Sequence, residues 1–505
     1  MLYIFRADSS DCIGSGHVMR CLAIAFQLRD RGHDVHFACR VLPGNSIGKL
    51  DSLGFVVHRL NVDNSAKTRS FARHSGWLQG DDYVDALETC EVLKGQPRFA
   101  AVILDHYALD HHWERDVGNV ANMIAVIDDL ADRKHECDLL IDYNLYADRF
   151  SRYRGLLPIQ CMPLLGPEFA PLRRQFSDAQ PLTRDQVSRV LVFFGGVDRF
   201  DLTTFVLDIL DRTMEDYLGG LQVDVVMGVN SPNRDAVAIH CNLSGYTFHE
   251  NVDDMGALMR RADLSVGAGG VTSYERIASG LPAVAYPVAD NQNRVVEDLA
   301  ALGLLFPAAS LEDIVHGVDH FLSRPDALHE MSVRCLRQDF SRGTDRIANH
   351  LALTHRPMYT IDRARTLRWR NQDNVRRYFR NSHEVAGDQH DVWFDRVLED
   401  PMRVFRVFEY HGEPCGLAYF SRLKSDEWEW GFYLGERGLA PKLGECLARE
   451  ALRFAIATLE AKKIMAEVKS FNTASLAIHR TLGFSEKTRN EECIFLIYEV
   501  AEPDV

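Results

Sequence analysis

An imidazole stands where a strand hands over to a helix. Residues 6–21 read RADSSDCIGSGHVMRC, with Gly14 and Gly16 bracketing Ser15 and His17 following at once. Glycines in such a turn let a ligand approach the backbone, and the free N–H groups of a helix start favour an anion. Histidine titrates near neutrality, which makes His17 a candidate general base. An ordinary strand-to-helix turn with an incidental histidine fits the same residues. A second glycine-rich stretch, ADLSVGAGGVTSYERIASGLPAVAYPVADNQ, runs over 262–292. Gly267, Gly269 and Gly270 are expected to make its turn, with Thr272 and Ser273 as N-cap candidates for the next helix. Their amides and hydroxyls can offer several donors to a diphosphate. Glu275, in the first turn of that helix, can accept two hydrogen bonds from a ribose diol, and a first-turn acid also simply complements the helix dipole. Gly195 and Gly196 follow a third apolar run, at 187–194.

The elements that must hold these groups follow from periodicity. An apolar run at 2–5 precedes the His17 turn, and Val18, Leu22, Ile24 and Leu28 recur beyond it at near-helical spacing. Further strands are expected at 34–39, 55–60, 100–104, 123–127 and 138–141. The last three run into Asp105-His106-Tyr107, Asp128-Asp129 and Asp142-Tyr143-Asn144. Strands alternating with helices predict a doubly wound parallel sheet, whose ligands bind beyond the carboxyl ends of the strands. Any one polar strand end is an ordinary cap or turn; several together point to a shared cleft. Two glycine-rich turns in two such domains place a substrate between them. Residues 166–186, with three prolines, read as a linker, and 355–358 as a shorter one, giving domains at 1–165, 166–354 and 355–505. About three domains also suit 505 residues at roughly 150 each.

Composition narrows the class. Hydrophobic residues make up 46% and charged residues 26%, as in soluble globular proteins. No apolar run reaches the roughly 18–20 residues of a membrane helix, and the apolar start is too short for a signal peptide. Eleven cysteines without a paired framework suggest reduced thiols and a cytoplasmic setting. A net charge of −15 argues against nucleic acid as partner while leaving a nucleotide open.

The strings RADSSDCIGSGHVMRC, VILDHYALD (102–110), VIDDLADR (126–133), LLGPEFAPLR (164–173) and GAGGVTSYERIASGLPAVAYP (267–287) resemble the UDP-sugar hydrolases of pseudaminic acid biosynthesis, the PseG/SpsG family. The second turn also resembles that of MurG glycosyltransferases. The resemblance implies a GT-B-like pair of Rossmann domains that hydrolyses UDP-2,4-diacetamido-2,4,6-trideoxy-β-L-altropyranose by water attack at the anomeric carbon. It implies His17 as the base and Tyr107 as an orienting residue. Arg6, Asp8, Gly14, Gly16, Gly195, Gly196, Gly269, Gly270, Thr272, Ser273, Glu275, Asn291 and Gln292 are then the expected substrate contacts. Asn291 and Gln292 are placed in a loop facing the sugar. No metal is expected, because helix N-termini and backbone amides can neutralise the leaving diphosphate.

From residue 359 the composition shifts toward Arg, Trp and Phe. A strand at 428–434, the loop GERGLAPKLG (435–444), a helix at 445–459 and NTASLAIHRTLGF (472–484) resemble the acetyl-CoA-dependent GNAT N-acetyltransferases, an α+β fold. The resemblance implies that Phe432, Leu434, Gly438, Ala440, Lys442, Gly444, Asn472 and Ser475 hold acetyl-CoA. Gly435 stands where that loop usually carries Arg or Gln. His479 stands where a Tyr usually protonates the leaving thiolate; simple packing of His479 is the other reading. The segment LRWRNQDNVRRYF (367–379) resembles the sugar-amine subgroup that includes the pseudaminic pathway enzyme, and it also reads as an amphipathic helix with a basic solvated face. Together these features imply a two-function enzyme acting on a UDP-amino-sugar, with no membrane partner. A GT-B glycosyltransferase, or a hydrolase with a non-catalytic acetyl-CoA-binding module, are the alternatives.

Overall fold

The computed structural model describes residues 2–62, 74–94, 99–159, 161–177, 182–216, 220–229, 231–250 and 252–500. The chain divides into two compact units, Met1–Ala348 and Asn349–Val505.

The first unit holds two parallel sheets. Strands β1 (Leu2–Ala7), β2 (Asp34–Arg40), β3 (Val56–Leu60), β4 (Phe99–Asp105), β5 (Ile124–Ile127), β6 (Leu139–Asp142) and β7 (Met162–Leu165) form one, ordered β3-β2-β1-β4-β5-β6-β7. Strands β8 (Arg189–Phe193), β9 (Gln222–Met227), β10 (Thr247–Glu250), β11 (Leu264–Ala268), β12 (Ala283–Tyr286) and β13 (Phe306–Pro307) form the other, ordered β10-β9-β8-β11-β12-β13. Covered on both faces, such strands carry unbroken apolar runs. Every residue of β1, β5 and β11 is buried. Both orders reverse direction beside the first strand of the sheet, the switch point where doubly wound folds bind ligands. The two sheets are Rossmann-like.

Residues 166–186 are more than a linker. Their described residues include a 3-10 turn, Pro167–Phe169, and a short helix, Arg174–Ser177. Arg346 donates to the Glu168 carbonyl, and a Cβ on Gly343 would come within 2.1 Å of the Ala170 carbonyl oxygen. Pro167 opens the 3-10 turn of a segment that is packed onto its own unit.

The second unit is one seven-stranded sheet. Strands β14 (Leu353–Pro357), β15 (Arg403–Tyr410), β16 (Glu413–Arg422), β17 (Glu427–Leu434), β18 (Lys463–Lys469), β19 (Ser485–Arg489) and β20 (Cys493–Glu499) are ordered β14-β15-β16-β17-β18-β20-β19. The expected linker at 355–358 is corrected here: most of it is edge strand β14, paired to β15 from Leu353↔Tyr410 to Pro357↔Arg406. One ladder and few apolar side chains hold it, which is why its sequence reads as irregular. Strands β17 and β18 run parallel and pair only from Glu427↔Lys463 to Glu429↔Met465. Beyond that, β17 follows β16 and β18 follows β20, and a wedge opens between them. Among the described residues no helix is long and apolar enough to cross a membrane.

Candidate functional sites

Strand β4 ends in Asp105, whose carboxylate is fully enclosed. His17 Nδ1 lies 2.6 Å from Oδ1, while Arg20 grips both oxygens, with Nε 2.5 Å from Oδ2 and Nη2 2.6 Å from Oδ1. His17 and Arg20 sit three residues apart on one face of the helix Gly16–Asp30. Burial alone would raise the Asp105 carboxyl; Arg20 and His17 instead hold it well below the usual carboxylate range. A carboxylate at Nδ1 fixes the tautomer with hydrogen on Nδ1 and leaves Nε2 as an acceptor. Arg20 also donates to the Tyr143 hydroxyl at 2.9 Å, and its Nη1 lies 3.6 Å from Asp129 Oδ2. Tyr107 donates to Asp129, and its ring stands edge-on to His17 at 4.5 Å between centroids. Burial and the Asp129 charge push the Tyr107 phenol well above its usual value, so it acts as a donor.

Arg6 and Asp8 occupy a different place. Both are fully buried, and Arg6 spans Asp8 and Asp85 with four contacts of 2.6–2.9 Å. The Arg40 backbone N–H and the Trp113 indole complete this closed network. The expected direct contact of Arg6 and Asp8 with substrate is therefore corrected: their polar atoms are used up inside the fold, behind the His17 turn.

The second sheet supplies the opposite wall. Strand β11 extends through Gly267 to Ala268, so Gly267 belongs to the strand, not to the turn. A Cβ there would meet the Phe193 carbonyl oxygen at 1.8 Å, which requires glycine. Gly269 and Gly270 make the turn into the helix Thr272–Ala278. Val271 caps it without a side-chain bond, so Thr272 and Ser273 are its first residues rather than its caps. The Ser273 hydroxyl is buried and bonds to no described residue. Glu275 is buried and pairs with Arg173, Nε to Oε1, at 2.9 Å. Asn291 and Gln292 lie in the first turn of the helix Asp290–Ala301, not in a loop. Gln292 accepts from the Val288 N–H at 3.0 Å and sits beside Gly270, while Asn291 is exposed.

A cleft of about 1120 Å³ runs between these walls. Gly14, Gly16 and Arg20 line it from the first sheet; Gly195, Gly196, Thr272 and Glu275 line it from the second. Tyr274 joins the two sheets, accepting from the Leu145 N–H at 2.9 Å and donating to Asn144 Oδ1 at 3.2 Å. Asn144 in turn donates to Asp129 at 3.3 Å. Sequence reasoning assigned no role to Arg20, Arg173 or Tyr274, and it took Asp105, Asp129 and Asn144 only as polar strand ends of a shared cleft. Its helical spacing of three from His17 is the signal that could have found Arg20.

In the second unit the wedge between β17 and β18 holds a cavity of about 250 Å³, lined by Phe432, Leu434, Gly444, Asn472, Ser475 and His479 among others. Asn472 caps the helix Thr473–Thr481 by accepting from the Ser475 N–H. Gly438, Ala440 and Lys442 lie on the loop before the helix Leu443–Ala457, and none of them lines this cavity. Gly438 and Lys442 are both left-handed, at φ +72° and +67°. Gly435 has a packing reason: a Cβ there would fall 2.1 Å from the Trp369 ring, whose indole donates to Glu436. His479 is buried against Trp430, Phe432 and Phe484. Its Nδ1 bonds the Ser475 carbonyl at 2.8 Å, and Nε2 bonds to no described residue. Burial, only partly offset by that bond, pushes the imidazole down to about 4. Tyr419 and Tyr433 line the same cavity, and burial raises both phenols, so they carry their protons at neutral pH.

Comparison with known proteins fits these two units. The C-terminal domain of glycosyltransferase family 28 matches residues 190–347, and the acetyltransferase (GNAT) domain matches residues 352–485. The UDP-2,4-diacetamido-2,4,6-trideoxy-beta-L-altropyranose hydrolase of Campylobacter jejuni is 25% identical over 256 residues, which is 50% of this chain and 80% of that protein. Acinetobacter baumannii MurG aligns in structure at 15% identity and a TM-score of 0.47, over 69% of this chain and 98% of its own. The Campylobacter jejuni N-acetyltransferase PseH aligns at 12% identity and a TM-score of 0.25, over 30% of this chain and 99% of its own. By fold and matched domains the chain carries two Rossmann-like domains and a GNAT acetyltransferase domain. Within that class, half of the chain is similar in sequence to the Campylobacter jejuni UDP-2,4-diacetamido-2,4,6-trideoxy-beta-L-altropyranose hydrolase.

Proposed function

We propose that the chain catalyses two consecutive steps on one nucleotide sugar. The second unit transfers acetyl from acetyl-CoA to the 4-amino group of a UDP-amino-sugar. The first unit then hydrolyses the product, UDP-2,4-diacetamido-2,4,6-trideoxy-β-L-altropyranose, to free sugar and UDP. The observation that carries this reading is the cleft lined from one side by Gly14, Gly16 and Arg20, which flank His17 in the chain, and from the other by Gly195, Gly196, Thr272 and Glu275.

In the hydrolytic step His17 Nε2 takes a proton from water as its oxygen bonds the anomeric carbon. The bond from that carbon to the β-phosphate oxygen breaks, and UDP leaves with the electron pair. Asp105 stabilises the charge that forms on the imidazole. The amides of the two glycine turns face the leaving diphosphate, and Glu275, steadied by Arg173, accepts from the ribose hydroxyls. Tyr107 orients water or sugar beside His17. In the acetyl step the sugar amine attacks the thioester and the leaving thiolate takes a proton. A histidine pushed down to about 4 is a poor donor at neutral pH, so the reading gives His479 a shaping role in the wedge and turns to the protonated phenols of Tyr419 and Tyr433 for the proton.

Mass spectrometry of a reaction containing the UDP-4-amino-sugar and acetyl-CoA tests both steps. The expected sequence is a mass gain of one acetyl, then release of UDP and a free diacetamido sugar without any acceptor. UDP release only when an acceptor is supplied would make the first unit a glycosyltransferase. Hydrolysis without any acetylated intermediate would make the second unit a binding module.

A further inference from the structure

We infer that Arg20 is a positioning residue that keeps His17 in its proton-accepting form by sharing the Asp105 carboxylate with it. The inference rests on the reading of His17 as the hydrolytic base. A buried carboxylate against an imidazole favours the imidazolium, which cannot accept a proton. Asp105 has only one negative charge to give, and its surroundings divide that charge. Oδ1 is shared between His17 Nδ1 and Arg20 Nη2, both at 2.6 Å, while Oδ2 is taken by Arg20 Nε at 2.5 Å. The guanidinium is permanently charged, and its Nη2 lies 3.2 Å from His17 Nδ1. A second proton, taken at Nε2, would thus create an imidazolium whose Nδ1 already lies 3.2 Å from a fixed cation.

The cation cannot swing away. Its remaining nitrogen is tied to the Tyr143 hydroxyl and faces Asp129, and the side chain is buried. Other groups around His17 leave this balance in place. Tyr107, from the turn after β4, presents a ring whose hydroxyl is committed to Asp129. His106, beside it, is buried against Asp8, and burial lowers it. Trp77, from the 3-10 turn Ser75–Trp77, carries no charge, and His74 lies tilted against Trp77 and Tyr107, at 4.4 and 5.6 Å between ring centroids. Among the described residues Asp105 and Arg20 are thus the charged groups in direct contact with the His17 ring, with Asp129 beyond Arg20.

Full-length Arg20→Gln tests this by two readouts. Histidine-labelled protein reports the titration of His17 by NMR, with His17→Ala used to assign its resonance. Rates of UDP-sugar hydrolysis across pH report kcat/KM. The His17 midpoint should rise by about 1–3 pH units in Arg20→Gln, the range an opposite charge within ~4–6 Å commands, and the acidic limb of kcat/KM should rise with it. Arg20→Lys, which keeps the charge, should move the midpoint by less than about 1 pH unit. If Arg20→Gln does not fold, Asp105→Asn and the double variant Arg20→Gln/Asp105→Asn isolate the same cation, and the midpoint should be higher in the double variant. A midpoint unchanged by loss of Arg20 in a folded protein overturns the inference. A midpoint that rises while the acidic limb stays in place keeps the inference and removes His17 as the base.

Discussion

Replacing His479 with phenylalanine separates a packing imidazole from a proton donor. The folded protein holds this side chain at about 4 against an ordinary 6.5, chiefly because burial disfavours its charge. The folded state thus refuses a proton that the unfolded chain accepts. The stability tied to this group is complete above pH 6.5 and drains as pH falls toward 4. At about 1.36 kcal/mol per pH unit the full loss is about 3 kcal/mol, and about 2 kcal/mol is already gone at pH 5. Phenylalanine has no proton to refuse. It does give up the bond to the Ser475 carbonyl, worth about 1 kcal/mol. His479→Phe should therefore lie within about 1 kcal/mol of the parent at pH 8 and gain about 2 kcal/mol on it by pH 5. His355, also pushed down to about 4 by burial, and His350, which burial lowers but Cys446 and Glu450 bring up to about 9, are present in both proteins and cancel in the difference. Hydrogen exchange read by mass spectrometry over the helix Thr473–Thr481 and β17 measures that difference within the full chain. The same burial leaves about one imidazolium in 10³ at pH 7. Acetyl transfer by His479→Phe should accordingly keep its pH limbs between 6 and 9. A pH-independent stability difference, or loss of an alkaline limb near neutrality with a rate drop beyond about 10²-fold, the smaller end of acid catalysis, would refute the reasoning and return the acid role to His479.

Three further outcomes are expected. His17→Ala should lower UDP-sugar hydrolysis by about 10²–10⁴-fold, the usual worth of a general base, with UDP affinity by calorimetry nearly unchanged; retention of the rate would remove His17 as base. Glu275→Ala should weaken UDP binding by about 1.5–3 kcal/mol, the scale of a charged hydrogen bond, without touching acetyl transfer. An unaltered UDP affinity would end the ribose assignment. Tyr274→Phe strips the hydroxyl that serves the Leu145 N–H and Asn144; denaturant unfolding should show a cost of about 1–3 kcal/mol for the orphaned groups, and no cost would mean that water replaces the phenol.

What the residues disclosed in advance was local. Unbroken apolar runs marked the parallel strands, and polar strand ends marked the rim where Asp105, Tyr107 and Asp129 gather. Boundary errors came where the local signal is ambiguous. Thr272 and Ser273 look like caps because hydroxyls usually cap, yet the chain turns helical at Val271 and buries Ser273. Residues 355–358 look irregular because an edge strand needs only one ladder and few apolar side chains. Asn291 and Gln292 look like loop because polar residues after a strand usually are, but they open an amphipathic helix.

Electrostatic partnership is a different kind of property, and its reach in sequence explains what was missed. His17 meets Asp105 across 88 residues, and Arg20 meets Tyr143 across 123. Arg6 and Asp8 stand nearer to His17 along the chain than either partner does, yet Asp85 and Arg40 draw them into a network of their own. Proximity along the chain therefore predicts membership of a strand or a turn, while membership of a charge cluster depends on which strand ends the sheet order brings side by side. With β4 next to β1 and β5 next to β4, Asp105 and Asp129 arrive at the face of the helix that carries His17. The one partner within sequence reach is Arg20, because three residues along a helix return to the same face. On the proposed reading of His17 as base, a base read from its turn alone is incomplete, because the cation one helical turn further on shares its carboxylate.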